Sequence, residues 1–260
     1  MNTVSVKKGF AGFARMGYGA RGAIYLIVGG LALMAAFGSG GKSTGSKGAL
    51  KTIYSQPMGE VLLFALIIGL LSYCMWRFIQ SIKDTDNHGT SAKGLAIRGG
   101  LFVSAITHAF LAFWAAQLLL TGSGNENSQQ SGWLDQPAGQ LALGAIGIAV
   151  IGAGIAHIAK GWSAKFRKYL DIPTSQQSWA IPTCRFGLIA RGAVWCILGG
   201  FLVRTGWVSG GQGTSNMGDA LNSLHSSPYG SWLFMIVAAG VFAFGVYSLL
   251  EAMYRRVNTE

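Results

Sequence analysis

The sequence predicts an all-α integral membrane protein with six transmembrane helices, and two observations carry this prediction. Of the 260 residues, 51% are hydrophobic and only 11% are charged, whereas a soluble domain carries about 25% charged residues. Six apolar runs are long enough to cross a bilayer as helices, and none shows the alternation of a β-strand. The runs are approximately 20–38, 59–80, 98–120, 138–159, 187–208 and 229–250.

The basic residues predict the orientation of these spans. With the N-terminus inside, 16 of the 20 Lys and Arg residues fall in inner segments, whereas the nine acidic residues divide five to four. This bias follows the positive-inside rule, so we expect both termini in the cytoplasm. The net charge of +11 is then a topology signal that also attracts anionic lipid headgroups at the cytoplasmic face. We expect no nucleic-acid partner.

Two sequence anchors each recur three times. Arg-Gly opens the first, third and fifth spans, and Pro-x-Gly opens the second, fourth and sixth, with 36, 39 and 37 residues between the Arg and the Pro. The chain therefore reads as one membrane domain of three tandem two-helix repeats, at about 14–83, 92–165 and 184–256. An even number of spans per repeat gives the three hairpins one orientation around an axis along the membrane normal.

Short helices are predicted in two of the outer loops. Leu50 with Ile53, and Leu221 with Leu224, recur at helical spacing just before a proline, which favours a short interfacial helix in the first and third repeats. The middle repeat has a polar stretch at 122–131 instead, so we expect its outer loop to be the most flexible.

Three stretches carry a family resemblance, namely A-R-G-A-I-Y from Ala20, G-A-L-K-T-I-Y-S-Q-P-M-G from Gly48 and A-L-N-S-L-H-S-S-P-Y-G-S-W-L from Ala220. The chain resembles a bacterial membrane family catalogued as domain of unknown function 1206, whose members typically contain three such two-helix units. The resemblance covers nearly the whole chain, and the middle repeat matches least well. It implies a bacterial inner-membrane location and brings no known activity.

The candidate functional residues are the ionisable side chains in or beside the spans, because charge is costly in a bilayer. Arg21, Arg98 and Arg191 open spans at the inner boundary, where we expect each to extend towards lipid headgroups. Alternatively, the three arginines ring the mouth of a central pathway or hold a lipid phosphate. Arg77 is a further candidate, at the position that aligns with His157 of the middle repeat.

Two histidines lie inside the middle repeat. His108 lies about 14 Å along its helix past Gly99, and His157 lies near the inner end of the fourth span. Both belong to stripes of small residues, so we expect each to face protein and to hydrogen-bond across helices; a proton or ligand role is the alternative. A haem between them is disfavoured, because their depths differ by roughly 9 Å.

The sequence contains no recognisable catalytic constellation. It has no Gly-x-Ser-x-Gly, no His-Glu-x-x-His and no paired carboxylates within spans, and its three cysteines form no Cys-x-x-Cys. We therefore expect no enzyme activity and no cofactor, and favour a multi-pass membrane module that binds lipid or a protein partner. The alternative is a channel or carrier along the pseudo-three-fold axis, and a membrane enzyme or haem protein is a third hypothesis.

Overall fold

The computed structural model describes residues 3–38, 45–123, 136–207 and 230–256. These ranges contain seven α-helices, two short 3-10 helices at Lys165–Tyr169 and Thr174–Gln176, and no β-strand. The α-helices are α1 (Thr3–Ala36), α2 (Ser46–Tyr54), α3 (Gly59–Lys83), α4 (Ala92–Thr121), α5 (Pro137–Trp162), α6 (Gln177–Trp207) and α7 (Gly230–Tyr254).

Six of these helices, all except α2, are long and apolar enough to cross a membrane, with mean hydropathy between 1.6 and 2.1 in their most apolar windows. They correspond to the six predicted spans, which are confirmed as long apolar helices. Several extend beyond the predicted limits. For example, α1 begins at Thr3 and α7 continues to Tyr254. Polar residues that flank an apolar run can belong to the same helix, so the run does not mark the helix ends.

Helix α2 confirms the short helix predicted before the first Pro-x-Gly. Its Leu50 and Ile53 side chains are buried, and it packs on α1, α3 and α4. The following turn explains the glycine of the anchor, since a Cβ atom on Gly59 would lie 2.2 Å from the carbonyl oxygen of Tyr54. The counterpart predicted near 220–225 and most of the polar stretch at 122–131 lie outside the described residues.

The long helices pack side by side in the order α4, α3, α1, α7, α6, α5. Helix α1 therefore lies between α3 and α7, and α6 lies between α7 and α5. Within the described ranges, α4 and α5 make no extensive contact with each other, although they are neighbours in sequence. The middle repeat thus contributes its two helices to opposite ends of the series.

Two of the interfaces between repeats use equivalent residues. Helix α1 packs on α7, and α6 packs on α5, through glycines at which a Cβ atom would lie 2.4–2.7 Å from the facing residue. The facing pairs are Gly22–Leu249, Gly29–Phe242, Gly192–Ile158 and Gly199–Ile151. The first helices of repeats one and three therefore pack in the same register on the second helix of another repeat, as expected for small-residue helix contacts.

The loops after α3 and α5 and the segment after α7 meet at one end of the bundle. Arg255 Nη2 lies 2.8 Å from Asp86 Oδ2 in the α3–α4 loop. The backbone N–H of Asp171, in the α5–α6 loop, donates to the carbonyl oxygen of Tyr254 at 2.8 Å. Hereafter this end is called the loop end.

Asp84 shapes the loop that carries Asp86. Its carboxylate accepts hydrogen bonds from the backbone N–H groups of His88 and Gly89, at 2.8 and 2.6 Å. Because these bonds favour the ionised form, the pKa of Asp84 is lowered from its ordinary value. The ionised carboxylate therefore closes the turn that brings Asp86 back towards the bundle.

The close contact of α1 with α7 predicts different effects of alanine substitution at two adjacent glycines. A Cβ atom on Gly29 would lie 2.4 Å from the backbone nitrogen of Phe242, whereas one on Gly30 would meet no atom within 4 Å. We expect Gly29→Ala to lower the free energy of unfolding by about 1–3 kcal/mol through overpacking. Gly30→Ala is the matched control and is expected to be neutral or slightly stabilising. Equal unfolding curves for the two variants in detergent would contradict this packing.

Candidate functional site

Arg21 lies in the interior, with only 4% of its surface exposed. Its Nη2 forms a salt bridge with the Glu251 carboxylate, its Nε donates to Ser248 Oγ at 3.1 Å, and its Nη1 donates to the Tyr73 hydroxyl at 2.5 Å. Glu251 is 2% exposed. One guanidinium on α1 is therefore bonded to both α7 and α3.

The second oxygen of Glu251 extends the network to the loop end. It accepts a hydrogen bond from Arg255 Nη1 at 2.8 Å, and Arg255 Nη2 is paired with Asp86 at 2.8 Å. Glu251 is thus a counter-ion shared by the Arg21 and Arg255 guanidinium groups. Through its pair with Asp86, Arg255 joins the α3–α4 loop to the end of α7.

The network closes on itself through α3. Arg77 Nε donates to the Tyr73 hydroxyl at 2.7 Å, and Arg77 Nη1 donates to Gln80 Oε1 at 3.1 Å. Gln80 Nε2 in turn donates to Asp86 Oδ2 at 2.9 Å. Because the Tyr73 hydroxyl accepts from both Arg21 and Arg77, the contacts form one closed circuit across three elements.

The Tyr18 ring lies within this circuit. The guanidinium carbons of Arg21, Arg77 and Arg255 are 5.1, 5.6 and 5.1 Å from its ring centre, and its hydroxyl accepts a hydrogen bond from Trp76 Nε1 at 3.2 Å. Attraction of each cation to the electron-rich ring face offsets part of the repulsion among the three arginines.

Arg191, the residue of repeat three that aligns with Arg21, has a different environment. It is 6% exposed, and its guanidinium carbon lies 4.2, 4.7 and 4.9 Å from the ring centres of Phe244, Trp195 and Tyr25. Within the described residues it has no hydrogen bond or ion pair, and its buried Nε lacks a partner. It is a buried cation held only by aromatic faces.

Arg98, the third of the aligned arginines, binds the end of a helix. Its Nε donates to the carbonyl oxygen of Ser81 at 2.8 Å and its Nη2 to that of Ile82 at 2.9 Å. This arrangement suits the negative end of the α3 dipole. The expectation that all three arginines extend towards lipid headgroups does not fit Arg21 and Arg191, because both are enclosed by protein.

Both candidate histidines bond within their own helix rather than across helices, contrary to the expectation. His108 Nδ1 lies 2.8 Å from the carbonyl oxygen of Ser104, and His157 Nδ1 lies 2.9 Å from that of Ala153. The His108 ring packs on Tyr73 at 4.5 Å and the His157 ring on Trp195 at 5.1 Å, measured between ring centres. The structure therefore places His108 beside the Arg21 network and His157 beside Arg191.

The described interior carries more positive than negative charge. Five cationic side chains accompany two carboxylates in this region, which leaves an excess of three positive charges. The cations are Arg21, Arg77, Lys160, Arg191 and Arg255, and the carboxylates are Asp86 and Glu251. Arg21 and Arg255 are paired with these carboxylates, Arg77 donates to Tyr73 and Gln80, and Lys160 donates to the Tyr247 hydroxyl at 3.4 Å.

Sequence reasoning missed Glu251, Tyr73, Asp86 and Arg255 as members of the site. Glu251 lies one residue beyond the predicted span limit at 250, so the apolar pattern does not place it within the sixth span. In the structure α7 continues to Tyr254, which keeps Glu251 within the helix and turned into the bundle. The available signal was an acidic residue one helical turn from Arg255, an i,i+4 pair.

Comparison with known proteins assigns the chain to a family whose description names no activity. Residues 16–84, 99–164 and 186–255 match the family described as Domain of Unknown Function (DUF1206), as the resemblance predicted. A relative from Bacillus subtilis (strain 168), described as Uncharacterized protein YxxB, is 34% identical over 255 residues, covering 95% of this chain and 92% of that protein. No solved structure matches the chain.

Removal of the Glu251 charge tests the network. Glu251→Gln leaves Arg21 and Arg255 without their shared carboxylate in a buried position, so we expect the free energy of unfolding to fall by about 3–5 kcal/mol. Asp171→Asn is the control, because Asp171 pairs with Arg256 at 75% and 58% side-chain exposure; its expected cost is below about 1 kcal/mol. Similar losses in both variants, measured by denaturant unfolding in detergent micelles, would argue against a buried network.

Proposed function

We propose that this chain, which belongs to the family described as Domain of Unknown Function (DUF1206), is a non-catalytic inner-membrane module that binds anionic lipid. The supporting observation is the charge of its exposed surface at and near the loop end. Among the residues whose exposure the structure describes, eight basic residues there are exposed, against one exposed carboxylate, Asp171, which is paired with Arg256. The basic residues are Arg15, Lys83, Lys93, Lys165, Arg167, Lys168, Arg185 and Arg256.

In this proposal the loop end faces the cytoplasm. The six spans then form three tandem two-helix repeats in one orientation with both termini inside, in agreement with the positive-inside rule. The middle repeat differs from the predicted hairpin, because within the described ranges its helices α4 and α5 make no extensive contact with each other. Anionic headgroups of the inner leaflet meet the exposed Lys and Arg side chains, each of which contributes about 1 kcal/mol of attraction near the membrane surface.

The assignment as a non-catalytic module rests on how the carboxylates are used. Glu251 and Asp86 are both engaged by arginines, so neither is available as a general base. In a variant of this proposal, the same basic surface binds a protein partner instead of lipid.

A channel or carrier along the pseudo-three-fold axis is the alternative proposal. The region around Arg21 is filled by bonded side chains, and the two pockets described lie elsewhere. One, of about 380 Å³, is next to Gln140 and Trp207, and the other, of about 290 Å³, is next to Lys47 and Trp114. Solute or ion flux through reconstituted vesicles would favour this alternative over the lipid-binding module.

The lipid-binding proposal predicts a charge-dependent preference that is confined to the loop end. We expect delipidated protein to retain phosphatidylglycerol in preference to phosphatidylcholine in native mass spectrometry. Lys165→Gln/Arg167→Gln should weaken phosphatidylglycerol binding by roughly fivefold or more, because two basic residues leave the surface.

Lys51→Gln/Arg204→Gln is the matched control, since it removes two exposed basic residues from the opposite end. It is expected to leave phosphatidylglycerol binding unchanged. Equal retention of the two lipids by the wild type, or equal losses in the two double variants, counts against the proposal.

A further inference from the structure

We propose that Arg191, Lys160 and His157 form a binding site for a phosphate-type oxyanion between α5 and α6. The site occupies the position at which the α1–α7 interface has the Arg21–Glu251 salt bridge. It lies inside the bundle and is separate from the exposed basic residues of the loop end, so it does not depend on lipid binding there.

Two helix interfaces of the bundle are equivalent. Gly22 of α1 faces Leu249 of α7, and Gly192 of α6 faces Ile158 of α5, in the same register. The alignment of the repeats on their Arg-Gly and Pro-x-Gly anchors places Arg191 where Arg21 stands. It also sets Lys160 in the place of Glu251, His157 in that of Ser248 and Phe244 in that of Tyr73.

Two of these replacements, Lys160 for Glu251 and Phe244 for Tyr73, remove an acceptor that Arg21 uses. A lysine has no acceptor atom and adds a second positive charge, and a phenylalanine has neither donor nor acceptor. His157 directs its Nδ1 to the carbonyl oxygen of Ala153 at 2.9 Å, away from Arg191. The position that supplies a carboxylate to Arg21 therefore carries a lysine in this interface, and it offers Arg191 no acceptor.

A buried guanidinium without an acceptor is unfavourable, and more so in a bundle surrounded by hydrocarbon. Among the described residues, Arg191 has only aromatic neighbours, and its Nε is buried without a partner. Arg21 shows how the same fold satisfies this position when a carboxylate is present. An anion from outside the chain would complete the coordination of Arg191.

The three proposed ligating groups adjoin one aromatic cluster. The Trp195 ring lies 4.7 Å from the Arg191 guanidinium carbon and 5.1 Å from the His157 ring. Phe244 contacts Arg191 at 4.2 Å and packs on Tyr247 at 5.5 Å between ring centres, and the hydroxyl of Tyr247 is 3.4 Å from Lys160 Nζ. The Tyr247 and Phe244 rings thus lie between Lys160 Nζ and the Arg191 guanidinium.

The donor set suits a phosphate group. Arginine offers a planar pair of N–H donors to two phosphate oxygens, and lysine adds a compact positive charge. The Nδ1 atom of His157 is engaged by the carbonyl oxygen of Ala153, which leaves Nε2 as the ring atom available to a ligand. His157 and Lys160 are partly exposed, and α4 does not cover α5 within the described ranges, so a lipid headgroup or free phosphate can approach from the side of α5.

Binding measurements on the full-length protein test this site. Delipidated protein in detergent is titrated with inorganic phosphate by calorimetry and with phosphatidic acid by native mass spectrometry, with diacylglycerol as the phosphate-free lipid. The Lys165→Gln/Arg167→Gln background reduces binding at the loop end, so failure of the surface proposal does not affect the result. Binding of phosphatidic acid alone identifies a lipid phosphate, and binding of inorganic phosphate identifies a free anion; either supports the site.

Two variants and one control decide the assignment. Arg191→Gln and Lys160→Glu are each expected to weaken binding at least tenfold, whereas Arg204→Gln, on the same helix α6, leaves it unchanged. Lys160→Glu should also raise the Tm of the ligand-free protein, because it offers Arg191 the carboxylate that Glu251 offers Arg21. The site is overturned if neither probe binds, or if Arg191→Gln binds as tightly as the parent protein.

Discussion

The salt bridge between Arg21 and Glu251 joins the first membrane helix of the chain to the last, and the arrangement of the surrounding polar groups depends on it. A guanidinium in the interior of an apolar bundle needs a counter-charge and a full set of acceptors. Glu251, Ser248 and Tyr73 supply them from α7 and α3. The same carboxylate engages Arg255, which holds the α3–α4 loop through Asp86.

The three repeats show how one backbone arrangement supports different electrostatic environments. Arg21 is bonded to Glu251, Ser248 and Tyr73. Arg98 binds the carbonyl groups at the end of α3, and Arg191 lies among aromatic rings. The glycine contacts that set the register of α1 on α7 recur between α6 and α5, so the backbone does not explain the difference. The difference between Arg21 and Arg191 comes from substitutions at the facing positions, above all from Lys160 in the place of Glu251.

The sequence predicted the helices well because apolar length and recurring anchors are local signals. It identified six spans, the helix at Leu50 and Ile53, and the arginines of the three repeats. It did not predict the partners of Arg21, since Ser248 and Glu251 are more than 220 residues away and local pattern does not encode which helices become neighbours. The separation of α4 from α5 was equally hidden, because the anchor spacing of the middle repeat resembles that of the other two.

The coupling free energy between Arg21 and Glu251 tests this account most directly. A double-mutant cycle with Arg21→Met, Glu251→Gln and the combined variant, followed by reversible unfolding in bicelles, isolates the interaction of the two side chains. We expect the combined variant to be less destabilised than the sum of the single variants, with a coupling of about 1–3 kcal/mol. Additivity of the two single effects within about 0.5 kcal/mol would contradict the claim that this buried pair organises the interior.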